Sequence, residues 1–155
     1  MTDFEVRIER FEPMRVAWVR SVGAHPEEEA WRLLTAWAGP AGLIGDVRHP
    51  MFGFNNPSPV RGVPEYGYEF WIAIGPEIHP SGGIGVKDFE GGTYAVTSCR
   101  VGPDMPTRWQ ALARWVRDSK YSWRRSAHEL ERLQNPAAPP AEMVVDLCLP
   151  LEVEG

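Results

Sequence analysis

The sequence predicts an α+β fold built from two copies of a β-β-α-β-β unit. Apolar residues at helical spacing follow Pro26 and again Pro106, and proline suits the first turn of a helix. Short segments rich in β-branched and aromatic residues lie before and after each of these helices. Similar residues recur 78 or 79 positions later, as in the pairs Trp31 and Trp109, Leu34 and Leu112, Trp37 and Trp115, Phe11 and Phe89, His49 and His128, and Asn56 and Asn135. This periodicity predicts an internal repeat of about residues 4–76 and 84–152, related by a pseudo-two-fold axis within one domain of residues 1–155.

The elements of the first half follow from local signals. A turn around Pro13 joins the first two strands into a predicted hairpin. The helix that begins at Pro26 carries acidic residues in its first turn, where the helix dipole favours them, and it ends at Gly39. The predicted strands lie at roughly residues 4–10, 14–21, 51–54 and 66–74.

The second half repeats this plan, with one ambiguous segment. A second hairpin turns at Gly91-Gly92, and a second helix starts at Pro106. Between residues 123 and 134 the apolar residues fall at helical spacing, but the repeat equates residues 128–135 with a strand of the first half. We predict a strand there and allow a helical turn around residues 122–127. The other predicted strands are 86–89, 93–100 and 143–151.

Composition excludes several classes of function. With 43% hydrophobic and 24% charged residues among 155, the chain is typical of a folded globular protein. Its net charge of −5 argues against direct nucleic-acid binding, which needs a basic surface. No apolar run approaches the roughly 20 residues of a membrane helix, and the N-terminus has no apolar signal segment, so we expect a cytoplasmic protein that does not enter a membrane. Cys99 and Cys148 form no CxxC motif and are expected to be reduced, buried thiols.

Common catalytic and metal-binding signatures are not found. The glycine-rich residues 82–87 lack the spacing and the Ser or Thr of a phosphate-binding loop. His128-Glu129 begins like a zinc-helix motif, but position 132 is Arg and not His. We therefore expect no metal and no cofactor.

The strand at residues 66–74 carries the most informative pattern. Side chains alternate in a strand, so Glu69 and Trp71 share one face while Tyr68, Phe70 and Ile72 share the other, which suits packing under a helix. Glu69 is either a solvated acid on an exposed sheet face or a carboxylate at the floor of an aromatic pocket. In the second case charge pairing and cation–π contacts would select cationic ligands.

Other pocket candidates follow from the repeat. Trp18 and Tyr94 lie on the face opposite Ala17 and Ala95, the small residues that let a helix approach. Trp123 falls outside the helical stripe and is placed to cover a pocket mouth. Asp146 occupies nearly the place of Glu69 in the second half, although we favour an exposed or hydrogen-bonded strand acid there. Four tryptophans follow the helical stripes and are predicted to be core: Trp31, Trp37, Trp109 and Trp115.

Together these motifs resemble the GyrI-like family, which includes the effector-binding domains of AraC- and MerR-type multidrug regulators. The resemblance spans about residues 6–152 and depends on the segments Phe52-Gly53-Phe54-Asn55-Asn56-Pro57, Tyr68-Glu69-Phe70-Trp71, 89–96 and 145–151. It implies antiparallel sheets that curve around a central ligand groove, with the helices on the outer face.

The resemblance also implies which residues bind ligand. The family binds lipophilic, often cationic compounds, and its central glutamate on the fourth strand matches Glu69. Aromatic pocket walls carry over to Trp18, Trp71 and Tyr94, and the matching Phe-Gly-Phe-Asn-Asn segment adds Phe54 and Asn55. The sequence has no room for a helix-turn-helix, so a stand-alone ligand-binding module is expected.

Three functions stay open on the sequence. The first is a binding protein for hydrophobic, cationic aromatic small molecules, in drug or toxin resistance or sensing. The second is a hydrolase of cyclopropane-containing genotoxins, a family activity in which Glu69 would be the catalytic general base. The third is an interaction with a protein partner, such as inhibition of gyrase, which would leave Glu69 unimportant. We favour binding.

Overall fold

The computed structural model describes residues 4–153, which form nine β-strands, two α-helices and a short 3₁₀ helix at Pro140–Glu142. The α+β class is confirmed. No helix within residues 4–153 is both long enough and apolar enough to span a membrane. The helices are α1 (Pro26–Ala38) and α2 (Met105–Arg117), and the strands are β1 (Arg7–Phe11), β2 (Met14–Gly23), β3 (Met51–Asn55), β4 (Tyr66–Ala73), β5 (Gly85–Phe89), β6 (Gly92–Arg100), β7 (Ser122–Trp123), β8 (Leu130–Leu133) and β9 (Val144–Glu152).

The chain divides into two compact units. The continuous unit is residues 14–89, and the discontinuous unit takes the residues up to Pro13 and those from Glu90 onward. Each unit has an antiparallel sheet and one α-helix. The repeat of residues 4–76 and 84–152 within one domain stays a prediction, and its boundaries differ from those of the two units.

The continuous unit has the strand order β3-β4-β2-β5, and α1 packs against β2 and β4. Helix α1 begins at Pro26, and the Gly39 N–H closes its end by donating to the Thr35 carbonyl at 2.9 Å. The helix buries Ala30, Leu34 and Ala38, which repeat every fourth residue and so lie on one face. The sheet face toward this helix carries the buried residues Ala17, Val19, Phe70 and Ile72.

The discontinuous unit has the strand order β1-β6-β9-β8, and β7 also pairs with β9. Helix α2 packs mainly on β6 and buries Leu112 and Val116. Both cysteines are buried free thiols, as predicted. The segment of residues 123–134, which could be helix or strand on the sequence, contains strands. It begins in β7 and includes β8, and a hydrogen-bonded turn lies between these two strands.

The predicted hairpins are wrong in their pairing, although all four strands exist. β2 pairs with β5 from Met14 opposite Phe89 to Trp18 opposite Gly85. β1 pairs with β6, ending with Phe11 opposite Gly92. A short, turn-like connection between two strands is compatible with a hairpin, but it does not force the strands to pair with each other. Here consecutive strands enter different units.

The four helical tryptophans, which were predicted to be core, are half-buried. The fully buried stripe of each helix is made of smaller residues, and the indoles lie at its borders. Trp31, for example, packs edge-on against Phe70 at 5.2 Å between ring centroids. A wide indole at the border of a helical stripe covers apolar surface and keeps its N–H within reach of a polar partner.

Candidate functional site

Glu69 is a buried carboxylate in the middle of β4. Only 1% of the residue is exposed, although glutamate is among the residues least often buried without a partner. Strand alternation directs it to the sheet face opposite α1, as predicted. In the strand register Arg20 lies opposite it on β2 and Phe54 lies opposite it on β3.

Three donors satisfy this carboxylate. The Trp71 indole N–H donates to Oε2 at 2.6 Å, and the Asn56 amide donates to Oε1 at 3.2 Å. The Lys87 ammonium forms a close ion pair with Oε2. A buried charge needs this combination of an opposite charge and hydrogen bonds, because desolvation is costly when either is missing.

Lys87 also lies between two indoles. Its Nζ is 4.5 Å from the ring centroid of Trp18 and 5.3 Å from that of Trp71, both within the range of cation–π attraction. Trp18 and Trp71 are directly opposite each other in the β2–β4 register, which brings the two rings to the same face. The group of Trp18, Glu69, Trp71 and Lys87, which we call the cation cage, thus holds an ammonium between aromatic rings and a carboxylate.

Trp71 is fixed in place by a cluster of phenylalanines. It is 5% exposed, and its ring centroid lies 5.0 Å from Phe54, 5.2 Å from Phe89 and 6.4 Å from Phe52. Edge-on and tilted aromatic contacts of this kind stabilise a specific ring orientation. Phe54 lies opposite Glu69 in the strand register and packs against Trp71 on the same sheet face, so Trp71 is the rigid partner of Glu69.

Of the two adjacent asparagines, the second one reaches the site. Asn55 is exposed and donates to the Gly67 carbonyl at 3.3 Å, so the sequence-based choice of Asn55 as a ligand residue is not supported by its position. Asn56 follows the end of β3 and donates to Glu69. Gly67 makes this possible, because a Cβ there would overlap the Asn56 carbonyl. The Asn56 and Gly67 backbones are also hydrogen-bonded, at 2.9 Å.

A cavity of about 700 Å³ lies beside Trp18 in the continuous unit. Its walls come from β2, from α1 and from the loop before β5, and Leu33 and Trp37 make it apolar. Glu69 does not line this cavity, whereas Trp18 and Arg20, the strand neighbour of Glu69, both do.

Tyr94 and Asp146 belong to the discontinuous unit, where they lie in a different environment. Tyr94 is 1% exposed and stacks on Phe11 at 4.7 Å, and burial raises the pKa of its hydroxyl to about 12. Asp146 is 2% exposed and accepts hydrogen bonds from Gln134, Ser98 and Arg132 at 2.5, 2.8 and 2.9 Å.

The Asp146 carboxylate is held in its charged form. Burial alone would raise its pKa, but the hydrogen bonds from Gln134, Ser98 and Arg132 outweigh burial and lower it. Arg132 also reaches Glu9 at 3.1 Å and lies 4.9 Å above the Phe11 ring. Asp146 is therefore the hydrogen-bonded strand acid that we favoured from the sequence.

Trp123 lines a separate cavity of about 540 Å³ in the discontinuous unit. Its indole stacks under the Arg125 guanidinium at 3.8 Å, and Arg114 and Arg117 contribute further positive charge to the lining. A cationic ligand would be repelled there, so this position of Trp123 does not suit the cation-binding role.

Sequence reasoning missed Lys87 and Asn56. Lys87 gives no signal on its own, since a lysine on a short amphipathic strand is typical of solvent exposure. Its role depends on the pairing of β5 with β2, which the predicted hairpins did not include. Asn56 had a signal, because it belongs to the repeated Asn-Pro pair, but the family resemblance was carried over to its neighbour Asn55.

The profile of the GyrI-like small molecule binding domain matches residues 4–152 of the chain. The chain belongs to the GyrI-like family. This is a family of small-molecule binding domains, and the match covers nearly every residue described above. No match was found among curated protein sequences.

Solved structures share the fold at low sequence identity. The C-terminal domain of EcmrR has 15% identity and a TM-score of 0.74, with 97% of this chain and 99% of that one covered. A hydrolase from Listeria innocua has 13% identity and a TM-score of 0.63, with 96% and 92% covered. SAV2435 bound to tetraphenylphosphonium has 11% identity and a TM-score of 0.56, with 96% and 94% covered. The chain spans 58% of the EcmrR chain in the EcmrR–DNA complex.

Proposed function

We propose that this GyrI-like chain binds hydrophobic, cationic aromatic small molecules and that the cation cage recognises their charge. The observation that carries the proposal is the position of the Lys87 ammonium. It lies between two indoles and a buried carboxylate, which is the arrangement that recognises organic cations. A ligand cation in the same place would meet the same rings and the same charge. Sequestration or sensing of a toxic compound is the role that such recognition serves.

The structural neighbour SAV2435 supports the choice of a probe. Its structure contains tetraphenylphosphonium, a permanent cation that carries four phenyl rings. The apolar rings supply affinity by burial, and the charge supplies selection. Tetraphenylphosphonium is therefore the cation to test, with triphenylphosphine oxide as a neutral aromatic comparison.

The test is a titration of each compound followed by quenching of tryptophan fluorescence, in the native chain and in Glu69→Gln. The substitution keeps the shape of the side chain and removes its charge. We expect a loss of about tenfold in affinity for the cation. A phosphonium donates no hydrogen bond, so it gains from the carboxylate only charge attraction, which is about 3 kcal/mol at roughly 6 Å and an effective dielectric constant of about 20. Loss of the carboxylate charge also releases the competing Lys87 ammonium, which offsets part of this attraction. Affinity for triphenylphosphine oxide stays within about threefold.

Asp146→Asn is the matched control, because Asp146 is also a buried strand acid but has Arg132 as its own partner. It leaves cation affinity within about threefold. Equal losses for both compounds in Glu69→Gln, or the same loss of cation affinity in Asp146→Asn, contradict the proposal.

The hydrolase alternative has less support from the geometry. A general base needs a lone pair directed at the water that it activates. Glu69 Oε2 accepts from both Trp71 and Lys87, and Oε1 accepts from Asn56. A catalytic water would have to replace one of these donors, whereas a bound cation only has to take the place of another cation.

A further inference from the structure

We propose that Lys87 is a resident cation that a ligand must displace, so that the cation cage opens to cationic ligands and stays closed to neutral ones. This inference rests on the binding function proposed above and adds the means by which charge is selected. It assigns to Lys87 a role in specificity that is separate from the attraction exerted by Glu69.

Lys87 has the mobility that displacement requires, and Glu69 does not. Side-chain exposure is 37% for Lys87 and 2% for Glu69. Lys87 lies on β5, the last strand in the sheet order of the continuous unit, and reaches the cage with a flexible four-carbon stem. The ammonium can leave for water by side-chain rotation, while the carboxylate is fixed by its strand and by Trp71.

Displacement is favourable only when a positive charge replaces the ammonium. If Lys87 leaves and nothing cationic enters, Glu69 remains a buried charge without its ion-pair partner, which is strongly unfavourable. A ligand cation restores both the ion pair and the contacts with the two rings. The freed ammonium is then hydrated and its side chain regains rotational freedom, which offsets part of the free-energy cost of displacing it. A neutral ligand supplies none of this compensation.

A second positive side chain, Arg20, faces the same region from β2 and does not take the role of Lys87. It lies opposite Glu69 in the strand register, but its guanidinium donates to the Asn56 carbonyl at 3.4 Å and the residue is exposed. Arg20 adds to the positive surroundings of the carboxylate without filling the space between the indoles.

Asp146, the buried strand acid of the discontinuous unit, is paired with a cation that is anchored and not exchangeable. Arg132 binds Asp146 and Glu9 at once and is 24% exposed at its side chain. A guanidinium that is anchored by two carboxylates is not free to rotate into water. A second guanidinium, Arg7, lies 3.3 Å from Asp146 and is 44% exposed at its side chain, but Asp146 keeps the anchored Arg132 when Arg7 moves away. Glu69, by contrast, is paired with Lys87 and loses that ion pair when the lysine side chain leaves.

The first experiment measures where the Lys87 ammonium lies, using the fact that the chain contains only two lysines, Lys87 and Lys120. Trace acetylation with acetic anhydride and mass spectrometry give the ratio of their reaction rates, with Lys120 as the internal standard. We expect saturating tetraphenylphosphonium to raise the Lys87:Lys120 ratio at least threefold, because the amine leaves the carboxylate. An equal concentration of triphenylphosphine oxide leaves the ratio unchanged. A ratio that stays constant or falls when fluorescence quenching shows saturation by the cation overturns the inference.

The second experiment removes the resident cation. Lys87→Met keeps the stem and removes the charge, and we expect affinity for tetraphenylphosphonium to rise at least tenfold while affinity for triphenylphosphine oxide changes less than threefold. Lys87→Arg keeps a competing cation and leaves affinity for the phosphonium near that of the native chain. The gain is lost in the double variant Glu69→Gln with Lys87→Met. A fall in cation affinity in Lys87→Met, in a variant whose circular dichroism spectrum is that of the native chain, overturns the inference.

The outcomes separate this inference from the proposed function. Saturable binding of the cation without a change in Lys87 reactivity refutes displacement and leaves the binding function standing. Absence of binding in both the native chain and Lys87→Met refutes the binding function. Binding in Lys87→Met alone supports displacement, with a native ammonium that competes strongly. If Lys87→Met does not fold, the acetylation ratio of the native chain still decides between the outcomes.

Discussion

Replacing Trp71 by Phe tests whether the indole holds the Glu69 carboxylate in place. The substitution keeps an aromatic ring among Phe52, Phe54 and Phe89 but removes the N–H that donates to Glu69 at 2.6 Å. Since Glu69 is 1% exposed, water cannot take over the lost hydrogen bond without entering the buried face.

The expected loss of stability is the sum of two effects. A hydrogen bond to a charged group contributes about 1.5–3 kcal/mol. The smaller ring leaves unfilled volume at a site where Trp71 is 5% exposed, which costs roughly a further 1 kcal/mol. We therefore expect Trp71→Phe to lower the free energy of unfolding by about 3 kcal/mol.

Urea unfolding followed by far-ultraviolet circular dichroism measures this loss without relying on tryptophan emission, which the substitution itself changes. The Gln side chain can still accept the indole N–H, so a double-mutant cycle with Glu69→Gln isolates the part of the contact that depends on charge. We expect a coupling energy of about 1 kcal/mol between the two side chains. A loss below about 1 kcal/mol, or a coupling energy near zero, would refute the view that this hydrogen bond holds the buried carboxylate.

Two further predictions follow from contacts described above. Asp146 has a lowered pKa in the folded chain, so its contribution to stability is present above its ordinary pKa of about 3.8 and is lost as pH falls through the lower folded value. Asp146→Asn should be less stable at pH 7 and lose less stability on acidification than the native chain, as measured by urea unfolding between pH 7 and 2; parallel pH profiles would contradict this. Gly85→Ala should weaken binding of tetraphenylphosphonium by about 3–10-fold. The new Cβ would lie 2.5 Å from the Trp18 Nε1, so the indole must move. Movement of the ring changes its distance from the bound cation and weakens the cation–π attraction. Gly83→Ala is its control, with no atom within 4 Å of the new Cβ, and equal effects of the two substitutions would argue against a role for the Trp18 position.

Strand periodicity explains why part of the site could be predicted from the sequence. Side chains in a strand alternate with a period of two, so a segment that is identified as a strand directs Glu69 and Trp71 to one face without further information. Trp18 follows by the same argument from its own strand. The two helix starts could be predicted for a similar reason, because each one depends only on the proline and the residues next to it.

Strand pairing explains why the rest could not be predicted. Lys87 is 18 positions from Glu69, and it meets the carboxylate only because β5 lies beside β2. The sequence around Gly91 is compatible with a hairpin, and a hairpin would have placed β5 beside β6. The choice between these pairings is made by contacts between distant strands, which a local pattern does not contain.

Asn56 shows a second limit of sequence reasoning. Alternation describes residues within a strand, and β3 ends at Asn55. Beyond that point the backbone follows the loop, and the close approach to Gly67 decides which amide meets Glu69.

One unit is continuous in sequence and the other is not, and this difference sets the order in which the two units are completed during translation. Residues 14–89 leave the ribosome as one uninterrupted segment, so every member of the cation cage is available when Phe89 emerges. The discontinuous unit waits for β9, the strand that pairs with β6, β7 and β8, which is synthesised more than 50 residues later. In the interval β6 can pair with β1 but not with β9, so the nascent chain carries the cage before the sheet of the discontinuous unit is complete.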